Sequence, residues 1–447
     1  MTAEVVAMNK LAVALAADSA VSRVYGHGAK TYDTANKLFA LSKHEPVGVM
    51  VFGNAEINMV PWELVIKTYR RHLGAKTYPS LPDYAEDFID FLGSSDLLFP
   101  EDKQLDYCKH LILRYLYYLR YIIEDEVSKQ LEISDLSPRE IQKCTRSVID
   151  HDHTIWFQQD TLRGLSSEAV ETLHDVGKRL AQTHVAEVFD QLPLDENDIE
   201  RISEICGALL TRDGFGTNEF VARSSGGIAI AGFGTADVFP SCLAMQVLGV
   251  AAGNALHEAD TIARVTPESP AYVRGFAQTE MVCSFMEGIE PDIQRLYMRY
   301  IHKVVENTIS EITRHLRVEG DMELDEVRQR LTDWSVQELD DRHKELREYL
   351  YQNRVGPVLD AIEMLPKDQL ATLAESLVSL TSLKRRVSTS AETVGGPVDV
   401  AVISKGDGFI WLRRKHYFDA KLNPSFFENY FRDGQTPLIP TKEATDG

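Results

Sequence analysis

The sequence lacks the features that mark several large functional classes. Its 447 residues include only five cysteines, which are scattered and form no CxxC pair, so neither a disulfide framework nor a zinc site is indicated. Basic side chains are outnumbered, 47 against 68 acidic ones, and the net charge of -21 disfavours nucleic acid and anionic lipid as partners. No apolar run reaches the ~18 residues of a membrane span. We therefore expect a cytoplasmic protein that binds neither nucleic acid nor membrane.

One apolar stretch near the N-terminus, Leu11–Ala17, has the small-residue composition of a secretory signal. However, Glu4 precedes it where such a signal carries positive charge, the run is barely long enough, and Asp18 ends it abruptly. We interpret it instead as a buried strand that is entered through a turn at Asn9 and Lys10.

Hydrophobic residues make up 44% of the chain and charged residues 26%, a composition typical of folded globular proteins. At this length the chain can hold more than one packing unit, or one large decorated domain. Short apolar runs between turn signals predict four strands early in the chain, namely Ala3–Met8, Leu11–Ala17, Lys37–Leu41 and Val47–Phe52. Four strands in succession suggest an antiparallel sheet. Helical periodicity then runs from residue 61 to about 219 and is clearest over Tyr84–Leu92, Leu105–Leu131, Ser166–Leu192 and Asp198–Leu210.

The second half of the chain repeats this succession. Strand patterns return at Phe220–Ala222, Gly227–Phe233, Leu243–Ala251 and Tyr272–Met286. Helices resume from residue 291 to about 384 and include a stretch of mixed-sign charge, Glu323–Glu348. The strands Val398–Ile403 and Phe409–Arg413 then form a hairpin around a Gly-containing turn. This order predicts an α+β fold in which two stacked antiparallel sheets lie between helical layers.

The pattern divides the chain into a core and its insertions. Residues 1–58 and 218–290 are predicted to be two strand-rich parts of the core, and residues 391–431 its C-terminal hairpin. Residues 59–217 form a helical insertion, residues 291–390 a helical segment, and residues 432–447 a polar tail.

Three segments carry a pattern found together in one family. Gly395–Phe409 (GGPVDVAVISKGDGF) has a Gly-Gly pair that leads into a hairpin closed by Asp-Gly. Thr2 stands 16 positions before Asp18, which lies in the run AVALAADS (Ala12–Ser19). Lys37–Leu41 is followed by Val47–Gly53 (VGVMVFG). In this order the segments resemble proteasome β subunits, which are N-terminal-nucleophile (Ntn) hydrolases. The likeness covers roughly residues 1–60, 220–290 and 390–415.

The resemblance implies an Ntn-hydrolase-like αββα sandwich of two antiparallel sheets with large helical insertions, and a catalytic set of four residues. Thr2 would be the nucleophile. Removal of Met1 would free the α-amine of Thr2, which would act as general base because such an amine titrates near ~7.7 to 8. Lys37 would lower the pKa of that amine, while Asp18 would hold the lysine ammonium in place. The backbone N–H of Gly53 would stabilise the oxyanion.

The implied activity is hydrolysis of a peptide or other amide bond through an acyl-enzyme on Thr2, without cofactor or metal. The same site would permit transfer of the acyl group to another amine. A third interpretation is a catalytically inactive scaffold that binds a protein partner through its helical insertions. Because the family assembles into rings, a homo-oligomer is expected.

Some positions depart from the family's pattern. Alignment on the Gly-Gly pair puts Val394 where the family has a serine and Ala391 where it has an aspartate. Phe233 replaces another serine, at a Gly-x-Gly strand end. All three polar groups normally support the threonine amine, so its environment is expected to differ here. Nearby polar side chains that are candidates to replace them are Ser390, Glu392 and Thr393.

The motif His151-Asp152-His153 is a candidate for a metal site. Two histidines two positions apart, without a third ligand in view, are more typical of hydrogen-bonding residues. We predict no metal at this position.

Overall fold

The first of two large sheets combines strands from the early part of the chain with strands from its later part. The structure, a computed structural model, describes residues 2–25, 28–132, 135–190, 192–260, 262–315, 324–387 and 395–425. Numbered along the chain, the strands of this sheet are β1 (Ala3–Asn9), β2 (Val13–Ala17), β13 (Ala271–Ala277), β14 (Asp399–Ser404) and β15 (Gly408–Arg413). They pair antiparallel in the order β13-β1-β2-β14-β15.

The turn predicted at Asn9 closes the hairpin between β1 and β2. The Asn9 side-chain oxygen accepts the backbone N–H groups of Leu11 (3.0 Å) and Ala12 (3.3 Å), while its amide donates to the carbonyls of Ile362 (3.0 Å) and Leu365 (2.9 Å). An asparagine that bonds the backbone two residues on is a typical turn former. Here it also fixes the hairpin to the helical segment behind the sheet.

The second sheet has six antiparallel strands. They are β5 (Leu38–Ala40), β6 (Val47–Gly53), β9 (Gly226–Gly232), β10 (Ser241–Ala251), β11 (Asn254–Ala259) and β12 (Ala263–Arg264). Five of them follow the order β11-β10-β9-β6-β5, and β12 also pairs with β10. Two small hairpins complete the strands: β3 (Val21–Tyr25) with β4 (Gly28–Tyr32), and β7 (Glu56–Ile57) with β8 (Val60–Pro61).

Twelve α-helices are found in the described ranges. Those before the second group of strands are α1 (Trp62–Leu73), α2 (Leu81–Ser94), α3 (Glu101–Leu131), α4 (Pro138–Phe157), α5 (Ser167–Val188), α6 (Glu196–Leu209) and α7 (Glu219–Ser224). Those after it are α8 (Glu280–Glu287), α9 (Pro291–His315), α10 (Leu324–Leu350), α11 (Gly356–Glu363) and α12 (Lys367–Val387). None of these helices is long and apolar enough to cross a membrane.

The two sheets face each other across one apolar layer, because residues two apart on a strand point to the same face. Val6 and Met8 of β1 and Leu15 of β2 pack there against Met50 and Ala229 of the second sheet. The alternate β1 residues pack outward against α12, and the outer face of the second sheet packs against α1 and α2. The prediction of an α+β chain with antiparallel sheets is confirmed.

Helices α3 to α7 form a core of their own beside the second sheet. The helix α4 begins with a capping box. The Ser137 side chain accepts the Glu140 N–H, and the Glu140 carboxylate accepts the Ser137 N–H at 2.8 Å. Tyr115, Trp156 and Phe220 meet edge to face at the centre of this block. Tyr115 of α3 therefore serves packing.

Three details of the predicted strands were wrong. Phe220–Ala222 lies in α7, which begins because the Asn218 side chain accepts the N–H groups of Phe220 (3.0 Å) and Val221 (3.3 Å). Tyr272–Met286 is a strand only in its first half, β13, and then turns into α8. The four early strands divide between the two sheets instead of forming one. A short apolar run does not distinguish a strand from a buried helix.

Candidate active site

Asp18 follows β2 at the edge of the layer between the sheets, and its carboxylate receives four donors. Oδ1 accepts the backbone N–H of Ala3 (3.1 Å) and the ammonium of Lys37. Oδ2 accepts the backbone N–H groups of Gly395 (3.0 Å) and Ala20 (3.3 Å). Charge-assisted bonds of this kind are about twice as strong as neutral ones. Asp18 thereby holds the start of β1 and the approach to β14 around one lysine.

Lys37 immediately precedes β5 and reaches from the second sheet towards the first. Its side chain is 5% exposed, and its ammonium contacts both Asp18 and Oε1 of Glu4, the latter at 3.2 Å. The Lys37 carbonyl accepts the Val51 N–H at 2.8 Å, which ties the lysine to β6. One ammonium therefore faces two carboxyl groups in a buried cluster.

Thr2 precedes β1 and is 3% exposed. Its hydroxyl has no hydrogen-bond partner of ordinary geometry among the described residues. It lies close enough to the Glu4 carboxyl to favour the ionised form of that group and lower its pKa. Leaving a buried hydroxyl unpaired costs free energy, and in native structures it calls for a specific reason such as catalysis.

Thr2, Lys37 and Gly53 meet at the wall of one cleft with a volume of about 350 Å³. Gly53 ends β6 with a φ of 71°, a conformation that glycine adopts without strain. The cleft is further lined by the apolar side chains of Val51 and Phe52 and by polar groups, among them Asn36, Glu56 and Glu63. The structure thus brings three of the four predicted residues to a cleft, and Asp18 lies behind Lys37.

Two residues of this region were missed by the sequence analysis. Glu4 was used only as an argument against a secretory signal, yet it is completely buried beside Lys37. The signal was present, because a carboxylate in the apolar strand AEVVAMN has to face something polar. Trp62, at the start of α1, also lines the cleft, and its buried indole N–H has no partner among the described residues.

Burial raises the pKa of Glu4 from 4.5 to about 7. The loss of water around the carboxyl is the largest cause, the Lys37 ammonium opposes it, and the negative charge of Asp18 adds to it. Both carboxyls touch the same lysine, but only Asp18 also accepts backbone N–H groups. The Glu4 carboxyl therefore changes its protonation near neutral pH.

The Gly-Gly pair of the C-terminal motif, Gly395 and Gly396, is explained by the close approach of neighbouring segments to its backbone. Gly395 donates its N–H to Asp18, and Gly396 has a φ of 74°. A Cβ on Gly396 would lie 2.9 Å from Cβ of Asp33 and 3.2 Å from Cβ of Ser19. Both the backbone conformation and the available space therefore exclude a side chain at Gly396.

We expect Gly396→Ala to lower the free energy of unfolding by roughly 2 kcal/mol, through backbone strain and the contact with Asp33. Gly406→Ala is the matched control, since a Cβ there meets nothing within 4 Å. Urea denaturation of both variants measures the difference. Equal losses would mean that the space around Gly396 is not restrictive.

Several predicted positions lie outside the described residues. They are Met1, the segment from Ser390 to Val394 and the tail 432–447. Phe233 is described, is 2% exposed and packs in the apolar layer between the sheets. Gly232 pairs with Val47, whereas Gly53 pairs with Gly226 at the other end of β9. Phe233 therefore lies far from the cleft, and the expectation that its position borders the threonine amine was wrong.

The motif His151-Asp152-His153 lies on α4 in the helical block. The Tyr115 hydroxyl donates to Asp152 at 2.6 Å, and the His153 ring lies 2.9 Å from the carboxylate of Glu204. Within the described ranges, no group of three or more His, Cys, Asp or Glu side chains is placed to hold a metal.

No protein-family model matches the chain, and a comparison with curated proteins finds no match. Among solved structures, the chain is similar to a Gly-1 mutant of Anbu from Hyphomicrobium sp. strain MC1. The sequence identity is 11%, the alignment covers 99% of this chain and 100% of that one, and the TM-score is 0.25. A score this low carries no argument about function, so the candidate site depends on its own geometry.

Proposed function

We propose that the chain is a proteasome-like Ntn hydrolase that cleaves amide bonds, as in a peptidase, with Thr2 as nucleophile. The observation that carries the proposal is a buried Thr2 hydroxyl, without a hydrogen bond of ordinary geometry to any described residue, at a cleft that is also lined by Lys37 and Gly53. The layering of helices on two facing antiparallel sheets supports the same proposal. The fold alone does not define a function, so the proposal depends on the residues of the site together with the fold that positions them.

The reaction would proceed by acyl transfer to the threonine. The Thr2 oxygen attacks the carbonyl carbon while a base accepts its proton, and the backbone N–H of Gly53 stabilises the oxyanion. Collapse breaks the C–N bond, and the departing amine takes up the proton. Water then hydrolyses the ester on Thr2. Removal of Met1 would supply the α-amine as one candidate base, with a pKa that the Lys37 ammonium lowers.

The test is covalent labelling of Thr2 with a β-lactone, followed by intact mass and peptide mapping. We expect the wild-type chain to gain one adduct on Thr2, Thr2→Ser to react more slowly, and Thr2→Ala to remain unmodified. The same mass measurement reports whether Met1 is removed.

Two other outcomes are informative. A wild-type chain that stays unmodified under conditions that label a proteasome would favour the scaffold interpretation. Formation of a new amide when a small amine is added to the acyl-enzyme would identify an acyl transferase.

A further inference from the structure

We propose that Glu4 is the general base of this site and accepts the proton of the Thr2 hydroxyl. This inference rests on the proposed function, and in it Glu4 takes the place of the α-amine as proton acceptor. The pairing of β1 with β13 continues to Thr2, whose carbonyl accepts the Gln278 N–H at 3.2 Å. Thr2 and Glu4 are therefore neighbours on one face, since positions two apart in an extended strand point the same way. The carboxyl is completely buried, and neither of its oxygens has a hydrogen bond of ordinary geometry among the described residues.

The two carboxyl groups of the cluster have different surroundings. Asp18 accepts three backbone N–H groups in addition to Lys37, so its oxygens are occupied. Within the described part of the chain, the polar neighbours of the Glu4 carboxyl are the Lys37 ammonium at 3.2 Å and the Thr2 hydroxyl. When two carboxyls share a site, the difference in environment assigns their roles. Asp18 is suited to hold the lysine, whereas Glu4 is free to exchange a proton.

The acidity of Glu4 suits this role. A general base works best when its pKa lies near the working pH, and burial raises the pKa of Glu4 to about 7. The position of the carboxyl beside the hydroxyl and its acidity therefore point to the same residue.

Other charged groups around Glu4 are paired with each other. On the neighbouring strand β13, Arg274 contacts Asp260 at 2.8 Å and lies over the ring of Phe276, which is opposite Glu4 in the pairing. On β14, Asp399 is paired with Lys415, a second buried pair beside Asp18 and Lys37. The titration of Glu4 is thus governed mainly by Lys37, Asp18 and burial.

The proton balance closes over one turnover. Glu4 takes the proton from the Thr2 oxygen as that oxygen bonds to the carbonyl carbon. It gives the proton to the nitrogen as the C–N bond breaks. In the second half, Glu4 takes a proton from the attacking water and returns it to the Thr2 oxygen as the ester bond breaks. No other reactant is required.

The experiment compares the rate of Thr2 labelling by a β-lactone between pH 5 and 9 in the wild type, Glu4→Gln and Glu4→Asp. In the wild type we expect the rate to rise with a midpoint near the Glu4 pKa. Glu4→Gln should react at least about 100-fold more slowly at pH 8, and its residual rate should be flat from pH 5 to 8. Glu4→Asp should recover part of the rate and regain a pH dependence.

A merely structural role for Glu4 would lower the rate without changing the shape of the pH profile. A Glu4→Gln chain that keeps the wild-type rate or profile overturns the inference and leaves the proposed function intact. A wild type that is never labelled overturns both.

If Glu4→Gln does not fold, infrared spectroscopy of the wild type gives the answer. The band of a protonated carboxyl, assigned by its shift in Glu4→Asp, should disappear with the same midpoint as the labelling rate rises. Midpoints more than one pH unit apart would overturn the inference.

Discussion

Replacement of Lys37 by methionine should lower the free energy of unfolding by about 3 to 5 kcal/mol, since it leaves two carboxyl groups buried without their shared ammonium. The loss should be smaller at acidic pH, because a protonated carboxyl no longer carries the uncompensated charge. Labelling of Thr2 should fall by about 100-fold or more, as expected when a charge that stabilises the reaction is removed from a buried site. Urea denaturation and the labelling rate measure the two effects.

The control for this prediction is Lys129→Met, which removes an exposed lysine paired with Asp125 on α3 and should change neither quantity. Adding Glu4→Gln to Lys37→Met tests the cause. If the loss of stability comes from uncompensated buried charge, the double variant should be more stable than Lys37→Met alone. A double variant that is less stable would mean that packing of the lysine stem is what matters.

The strands that carry the site could be predicted from the sequence because their signal is local. The strands β1, β2 and β6 are short apolar runs bounded by turns, and the structure contains each within two residues of its predicted bounds. The division of these strands between two sheets could not be predicted in the same way. Pairing partners are set by contacts far apart in sequence, such as β1 with β13.

The grouping of Thr2, Asp18, Lys37 and Gly53 followed from a resemblance, since no rule of periodicity joins residues on different sheets. Glu4 and Lys415 show what that approach leaves out. The quoted motifs do not contain either residue, and each is buried against an ionisable side chain from another segment: Glu4 against Lys37, and Lys415 against Asp399. Burial lowers the pKa of Lys415.

The architecture explains how the fold accommodates the charged cluster of Glu4, Asp18 and Lys37. It lies where strands of both sheets end, between an apolar layer on one side and the cleft on the other. Asp18 is satisfied by backbone groups of three segments, so it holds those segments together regardless of any reaction. Glu4 makes no comparable contribution to the fold. A buried carboxyl without hydrogen bonds of ordinary geometry costs folding free energy, so its place in the structure is better explained by the chemistry of the site than by stability.

Glu4 should make the folded state less stable as the pH rises. In the unfolded chain it titrates at its ordinary pKa of 4.5, and in the folded chain at about 7. Between these values the folded state binds more protons than the unfolded state, so the free energy of unfolding falls with increasing pH. At 1.36 kcal/mol per pH unit the full effect is about 3 kcal/mol.

The measurement is urea denaturation of the wild type and Glu4→Gln at several values from pH 5 to pH 8. Since every other titrating group is common to both chains, the difference between them isolates Glu4. We expect the wild type to lose stability relative to Glu4→Gln across this range and to be the less stable of the two at pH 8. Parallel curves would show that Glu4 is ionised throughout, and a carboxylate of ordinary acidity would be a poor proton acceptor for Thr2 near neutral pH.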